Sequence, residues 1–93
     1  MTSASARHIL VKTKDACEDL KVQIEGGAEF VDLAKNHSDC PSGATGGDLG
    51  EFSPGQMVLE FDEVVFKAEV GKVHGPVQTQ FGFHLIEITS RTD

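Results

Sequence analysis

The segment GFHLIEIT, residues 82–89, carries the clearest strand signal in this 93-residue chain. It is rich in large apolar and β-branched residues, as β-strands are. Because side chains alternate across a strand, His84 and Ile86 share one face, and Phe83 and Leu85 share the other. Apolar groups on both faces predict a strand near the middle of its sheet.

A second segment, residues 6–11 (ARHILV), also carries apolar groups on both faces and is predicted to be another central strand. Each of the two strands therefore holds a histidine, His8 or His84, among apolar residues. Such a histidine normally has a hydrogen-bond partner. On facing strands the two rings can satisfy each other, because a neutral imidazole has one donor and one acceptor nitrogen. The two histidines could be a structural pair in the core or a pair that shapes a site, and the sequence leaves both roles open.

Residues 14–25 show the four-residue apolar spacing of an amphipathic helix, with Ala16, Leu20 and Ile24 predicted to face the core. Thr13 is placed to cap the first turn, since its hydroxyl can accept from a free backbone N–H. Two glycines follow the helix and are expected to end it.

The remaining segments complete the element order. Helices are predicted over residues 29–36 and 59–67, and a short strand over residues 50–52. Residues 73–77 are extended but contain Pro76, which restricts them to a sheet edge or a strand start. The order strand, two helices, strand, helix and two strands predicts an α+β domain with helices packed around a small, mostly antiparallel sheet.

The composition is that of a small globular domain, with 39% hydrophobic residues and a formal net charge of -7. The acidic balance argues against nucleic acid and anionic membranes as partners, because both attract basic patches. The apolar run at residues 9–11 is too short for a signal peptide or a membrane helix. Residues 1–93 are therefore expected to form one cytoplasmic domain, monomeric by default, with Cys17 and Cys40 as free thiols.

A glycine-rich connection, SDCPSGATGGDLG at residues 38–50, contains Cys40. It lacks the Lys-Ser/Thr ending of a phosphate-binding P-loop. Three roles for the thiol are open: a nucleophile with a histidine base, a zinc ligand beside His8, His37 and His84, or a noncovalent part of a binding site. The paired spacings of structural zinc sites are missing, so the sequence gives little support to zinc.

Three apolar residues are candidates for a ligand pocket. Met57 and Phe61 are four positions apart, and Phe81 lies in the turn before the last strand. Phe83 is expected in the core. An apolar cup with a few polar groups is the usual form of a small-ligand site.

Four motifs together resemble the parvulin family of peptidyl-prolyl cis/trans isomerases, and the resemblance is closest to the stand-alone bacterial parvulins. The motifs are HILVK at 8–12, CPSGATGGDLGEF at 40–52, GQMVLEF at 55–61 and GPVQTQFGFHLI at 75–86. The resemblance runs from residue 6 to residue 91. It implies the parvulin (FKBP-like) fold, a four-stranded antiparallel sheet surrounded by helices in the order β-α-α-β-α-β-β.

The resemblance also implies two sets of site residues, a polar set and a proline pocket. The polar set is His8, Cys40, Thr79 and His84, and the pocket is Leu49, Met57, Phe61 and Phe81. It implies no metal and no cofactor. The expected partners are proline-containing peptides and unfolded protein chains.

One departure bears on specificity. Parvulins that require a phosphorylated residue before proline share a basic cluster after the first strand. Here residues 12–19 read KTKDACED, with Lys12 and Lys14 followed directly by acids. Phosphate recognition normally uses clustered arginines. The sequence therefore predicts no phosphate requirement, with apolar residues accepted before proline. A peptide-binding module without catalysis and a metal- or redox-responsive protein are the alternative functions.

Overall fold

The computed structural model describes residues 2–92, which form four strands, three α-helices and one short 3-10 helix. In chain order these are β1 (Ser3–Val11), α1 (Lys14–Glu25), α2 (Phe30–His37), the 3-10 helix (Pro41–Thr45), β2 (Asp48–Phe52), α3 (Leu59–Val65), β3 (Val73–Thr79) and β4 (Gly82–Thr92). The strands form one antiparallel sheet in the order β2-β1-β4-β3. The predicted α+β class and element order are confirmed.

The two central strands are the two that the apolar alternation predicted. β1 and β4 pair antiparallel, so that Leu10 lies opposite His84, and His8 lies opposite Ile86. The strand that contains Pro76 is at the edge, as expected from its missing backbone N–H. Both central strands are longer than predicted. The start of β1 alternates small Ser and Ala residues, which carry little strand signal, and the end of β4 is polar, so pairing between the two strands defines both ends.

The sheet separates two apolar clusters. One lies under α1 and α2 and includes Ile9 of β1 and Leu85 of β4. The other lies under α3 and includes Ile86 and Ile88 of β4. His8 and His84 share the strand face of Ile86, so both imidazoles are on the α3 side of the sheet.

Helix α1 has the predicted bounds, and the Thr13 hydroxyl accepts from the Ala16 backbone N–H at 3.2 Å. The prediction that Ala16 faces the core is wrong: this residue is exposed, and Cys17 is buried in its place. The buried face is Cys17, Leu20 and the half-buried Ile24, a spacing of three and four. Burial raises the pKa of the Cys17 thiol to about 11, and the Glu18 carboxylate adds to the shift. Cys17 is thus a protonated core residue.

The glycine-rich connection is more ordered than predicted, because residues 41–45 form the 3-10 helix. Pro41 begins this turn, where its fixed φ is favourable and its missing N–H costs nothing. Gly46 ends it with φ of 73°, a left-handed conformation that glycine adopts without strain.

Helix α3 is two residues shorter than predicted. A side chain from β4 caps its C-terminal end. The Arg91 guanidinium donates from Nη1 to the carbonyls of Val65 at 2.9 Å and Ala68 at 2.7 Å. These bonds satisfy carbonyls that have no partner within the helix. None of the helices within residues 2–92 has the length and apolar character needed to cross a membrane.

Candidate active site

The two predicted histidines meet in the middle of the sheet. The Nδ1 atoms of His8 and His84 lie 3.0 Å apart, and the residues are 5% and 4% exposed. Burial lowers the pKa of His8 to about 4, with a smaller contribution from His84, and burial also lowers the pKa of His84. Both rings are therefore neutral at pH 7, each with one donor and one acceptor nitrogen.

This pair is the centre of a continuous hydrogen-bond chain. His84 Nε2 lies 2.7 Å from Thr79 Oγ1, and His8 Nε2 lies 3.0 Å from Ser42 Oγ. The Ser42 hydroxyl donates to Cys40 Sγ at 3.3 Å. Since Ser42 gives its proton to the sulfur, it must accept from His8 Nε2. The tautomers then follow: His84 donates from Nδ1 to His8, and the Thr79 hydroxyl donates to His84 Nε2.

Ser42 was not among the residues predicted from sequence, although it joins Cys40 to the histidines. A signal was present in the CPSG motif, because a hydroxyl next to proline in a turn commonly bonds nearby groups. Ser38 was missed as well. Its Oγ accepts from the backbone N–H of Leu10 at 3.1 Å and of Cys40 at 3.3 Å. These bonds tie the start of the glycine-rich connection to β1.

Gly47 hydrogen-bonds the C-terminal part of the glycine-rich connection to β1. The His8 backbone N–H donates to the Gly47 carbonyl at 2.9 Å. Gly47 has φ of 84°, and a Cβ at this position would lie 2.3 Å from the His8 carbonyl oxygen. Only glycine allows this approach. Cys40 and His8 are thus held in fixed relation by a connection anchored at both ends.

A pocket of about 530 Å³ opens above the histidine pair, on the α3 side of the sheet. Its walls contain seven of the eight predicted site residues, and these are His8, Cys40, Leu49, Met57, Phe61, Phe81 and His84. The eighth, Thr79, does not line the pocket but is buried and hydrogen-bonded to His84. Sequence reasoning missed five further lining residues: Leu10, Asp39, Pro41, Gln56 and Val58.

Phe61 and Phe81 have different places in the pocket. Phe61 is 3% exposed, and its ring meets both imidazoles edge-on, with centroid distances of 5.7 Å to His8 and 5.9 Å to His84. Phe61 therefore forms the floor. Phe81 is 60% exposed and forms part of the rim. Its backbone N–H donates to Thr79 Oγ1 at 3.1 Å, which links the rim to the polar chain.

Residues 7–90 match the family described as Rotamase: PPIC-type PPIASE domain. The chain belongs to this family, the parvulin-type peptidyl-prolyl isomerase domains. The foldase protein PrsA of a Geobacillus species is 44% identical over 89 residues, which cover 95% of this chain and 32% of PrsA. The chain thus spans less than half of that relative.

Two solved structures resemble this parvulin domain closely. The crystal structure of PrsA from Bacillus anthracis has a TM-score of 0.94 and 38% identity, and the match covers 99% of this chain and 43% of PrsA. The solution structure of NmPin, the parvulin of Nitrosopumilus maritimus, has a TM-score of 0.86 and 33% identity. That match covers 97% of this chain and 98% of NmPin. The predicted family and fold are confirmed.

The segment that carries Met57 precedes α3, so Met57 and Phe61 line one pocket without sharing a helix face. Gln56 Oε1 accepts from the Ser53 backbone N–H at 2.6 Å, and the Ser53 carbonyl accepts from the Gln56 N–H at 3.3 Å. Asp62 Oδ2 accepts from the Gly55 N–H at 2.6 Å. These bonds hold one wall of the parvulin pocket in place.

A metal role for the parvulin histidines does not fit their bonding. Both ring nitrogens of His8 and of His84 are already engaged in hydrogen bonds. The fourth residue of the zinc hypothesis, His37, lies exposed at the end of α2. Across residues 2–92, no group of three or more His, Cys, Asp and Glu side chains is arranged to hold a metal ion.

Proposed function

We propose that this parvulin domain catalyses cis/trans isomerisation of X-Pro peptide bonds in unfolded or flexible chains, and so assists protein folding. One observation carries the proposal. An apolar pocket of suitable size for a proline ring has Phe61 as its floor, and Phe61 packs on the neutral pair of His8 and His84.

The pocket suits the physical problem of rotating a peptide bond. Resonance gives that bond a rotational barrier of roughly 18–20 kcal/mol. Before proline, cis and trans differ little in energy but exchange slowly. An apolar cup removes water from the amide, which disfavours the polar, planar resonance form. Any contact that is stronger with the twisted bond than with the planar one then lowers the barrier.

Cys40 serves this site without forming a covalent bond. A catalytic thiol is commonly activated by a general base in direct hydrogen-bond contact. The Cys40 sulfur instead accepts from the Ser42 hydroxyl, while His8 Nε2 bonds to Ser42. Isomerisation also makes and breaks no covalent bond. We therefore assign Cys40 to the pocket wall, where its sulfur and the polar chain set the electrostatics near the carbonyl that precedes proline.

We also propose that the site has no phosphate requirement and accepts apolar residues before proline. The pocket-lining residues of the described chain include no lysine and no arginine. Of the two lysines after β1, Lys14 lies 3.8 Å from the Glu18 carboxylate on α1, within the exposed part of the helix. A phosphate would need several cations converging on one point.

The cytoplasmic location stays a prediction, supported by two unpaired thiols, Cys17 and Cys40, since free thiols are usual in reducing compartments. A monomeric state and the absence of nucleic-acid and membrane partners also stay predictions, supported by the acidic net charge of -7.

The test is NMR exchange spectroscopy on a Leu-Pro peptide and a matched phosphoserine-Pro peptide, each with catalytic amounts of protein. We expect faster exchange for Leu-Pro and much less effect on the phosphopeptide. Acceleration of the phosphopeptide alone would keep the isomerase and overturn its specificity. Binding of both peptides without faster exchange would show a chaperone-like binding module instead.

A further inference from the structure

The proline pocket carries a single charge. Among its lining residues in the described chain, Asp39 alone has a side chain that is charged at pH 7, since the two lining histidines are neutral. Asp39 is exposed, so its carboxylate is accessible to a bound peptide. The charge is therefore available at the mouth of an otherwise apolar site.

The backbone of Asp39 is fixed in place. Its N–H donates to the Leu10 carbonyl at 2.7 Å, which adds this segment to the side of β1. The residues on either side are held through Ser38 Oγ, which bonds the backbone N–H groups of Leu10 and Cys40. The Asp39 side chain is thus attached to a backbone held by hydrogen bonds, directly before Cys40 in the chain.

The carboxylate has no cation of its own. Within residues 2–92, no lysine, arginine or histidine nitrogen lies within 4.0 Å of it. The described part of the chain therefore does not neutralise the Asp39 charge. A positive group on the ligand would meet no competing cation from residues 2–92.

In the proposed isomerase the proline ring packs on Phe61, so the residues on either side of proline lie at the mouth of the pocket, which Cys40 and Asp39 also line. We take the side chain of the residue before proline to lie on the side of Cys40 and Asp39. A lysine or arginine there would approach the Asp39 carboxylate, whereas a glutamate would be repelled by it.

We propose that Asp39 makes this site prefer a cationic residue immediately before proline over a neutral residue of similar length. The inference rests on the proposed isomerase function and names its substrate class. Exposed ion pairs are weak, so we expect a preference of about two- to fivefold in kcat/KM. Salt should reduce it, because the pair is exposed to solvent.

The experiment compares three peptides that differ only before proline, with lysine, norleucine or glutamate at that position. NMR exchange gives kcat/KM for each, and the readout is the lysine-to-norleucine ratio, in which any general loss of activity cancels. We expect a ratio above one for the wild type and a ratio near one for Asp39→Asn. The matched control is Asp19→Asn on α1, which changes the net charge equally but lies on the opposite side of the sheet.

Three outcomes would overturn the inference. The wild type could show no lysine preference while it accelerates the norleucine peptide, which would leave the isomerase proposal intact. The preference could persist in Asp39→Asn, or it could fall equally in Asp19→Asn, which would assign it to the overall charge. If no peptide were accelerated, the isomerase proposal would fail, and this inference with it.

Discussion

The Nδ1 atoms of His8 and His84 lie 3.0 Å apart beneath the pocket, in positions where two N–H groups cannot face each other. One ring must therefore accept the bond through an unprotonated nitrogen. Both rings are buried, and burial lowers both pKa values, that of His8 from 6.5 to about 4. The fold thus selects the neutral form of each histidine.

This selection predicts that stability falls in mild acid. In the unfolded chain the histidine pKa is near 6.5, whereas His8 in the fold has a pKa of about 4. Between these values the unfolded state binds more protons, so the free energy of unfolding decreases as the pH falls, and the His8 contribution levels off below about pH 4. We expect a loss of about 2 kcal/mol from His8 between pH 7.5 and pH 5, measured by urea unfolding.

Two variants separate this effect from the titration of surface groups. His8→Asn should make the stability curve less steep between pH 7.5 and pH 5, because one of the two buried ionisable rings is gone. His37→Gln, at an exposed position at the end of α2, should keep the wild-type slope. An unchanged slope in His8→Asn would show that protonation of His8 does not cause its expected share of the loss.

Thr79 is predicted to set the tautomer of His84 from outside the pocket. Its Oγ1 lies 2.7 Å from His84 Nε2 and accepts from the Phe81 N–H. Thr79→Val keeps the shape but leaves the buried His84 Nε2 without a partner, at a cost of about 1–3 kcal/mol, and also removes the acceptor of the part-buried Phe81 N–H. We expect a mixture of His84 tautomers in 15N NMR spectra and a drop of about tenfold in kcat/KM. Thr79→Ser, which keeps the hydroxyl, should restore both.

A purely structural role for Thr79 predicts a different pattern. Thr79→Val would then lose stability while the nitrogen shifts of His84 and the kcat/KM of the folded fraction stayed at wild-type values. That result would show that Thr79 stabilises the fold but does not set the tautomer of His84.

Gly47 is predicted to be essential because of its contact with His8. Gly47→Ala would force a Cβ to within 2.3 Å of the His8 carbonyl oxygen, so the glycine-rich connection must move away from β1. We expect a large loss of stability and a strong drop in kcat/KM. Gly50→Ala is the control, since Gly50 also has positive φ, at 69°, but a Cβ there would have no neighbour within 4 Å. Comparable losses in the two variants, by thermal unfolding and NMR exchange, would point to backbone strain alone.

Much of the sheet could be predicted from the sequence, and the limits have clear physical causes. Alternation of apolar residues identified β1 and β4, because both are covered on two faces. The prediction stopped short of the outer ends of both strands, where small or polar residues carry little strand signal and pairing between the strands defines the structure. In α1 the four-residue spacing fits Ala16 and misses Cys17, and only packing against the sheet decides which of them is buried.

Part of the site could likewise be predicted from the sequence and part could not. The pairing of His8 with His84 follows from two histidines on facing central strands. The CPSG motif indicates only that the Ser42 hydroxyl bonds nearby groups. Its bond with His8 does not follow from local sequence, because the two meet only after the 3-10 helix has folded against β1. Asp39 was missed for a similar reason, since its position at the pocket depends on a backbone bond to Leu10.

Cys40→Ser is predicted to keep measurable activity. A serine oxygen at this position can still accept from the Ser42 hydroxyl, so the polar chain keeps its direction. We expect kcat/KM for a Leu-Pro peptide to fall by less than about tenfold, as for loss of a supporting electrostatic group rather than of a nucleophile. Loss of several orders of magnitude in a folded Cys40→Ser protein, checked by NMR, would make Cys40 a nucleophile and overturn the noncovalent mechanism.

Phe61→Ala is predicted to lose most of the activity, because it removes the pocket floor and the edge contacts to both histidines. A buried Phe→Ala change also costs about 3–5 kcal/mol, a large part of the stability of so small a domain. Met57→Ala therefore provides a second test, since Met57 is only half-buried in the pocket wall.

We expect Met57→Ala to remain folded and to reduce kcat/KM for Leu-Pro by about tenfold, through loss of apolar contact with the proline ring. Val22→Ala removes a comparable apolar group from the exposed face of α1 and should leave kcat/KM unchanged. NMR exchange, with folding checked by thermal unfolding, measures all three variants. Wild-type kcat/KM in a folded Met57→Ala protein would mean that proline does not bind against Met57, and the substrate would have to be placed elsewhere on the domain.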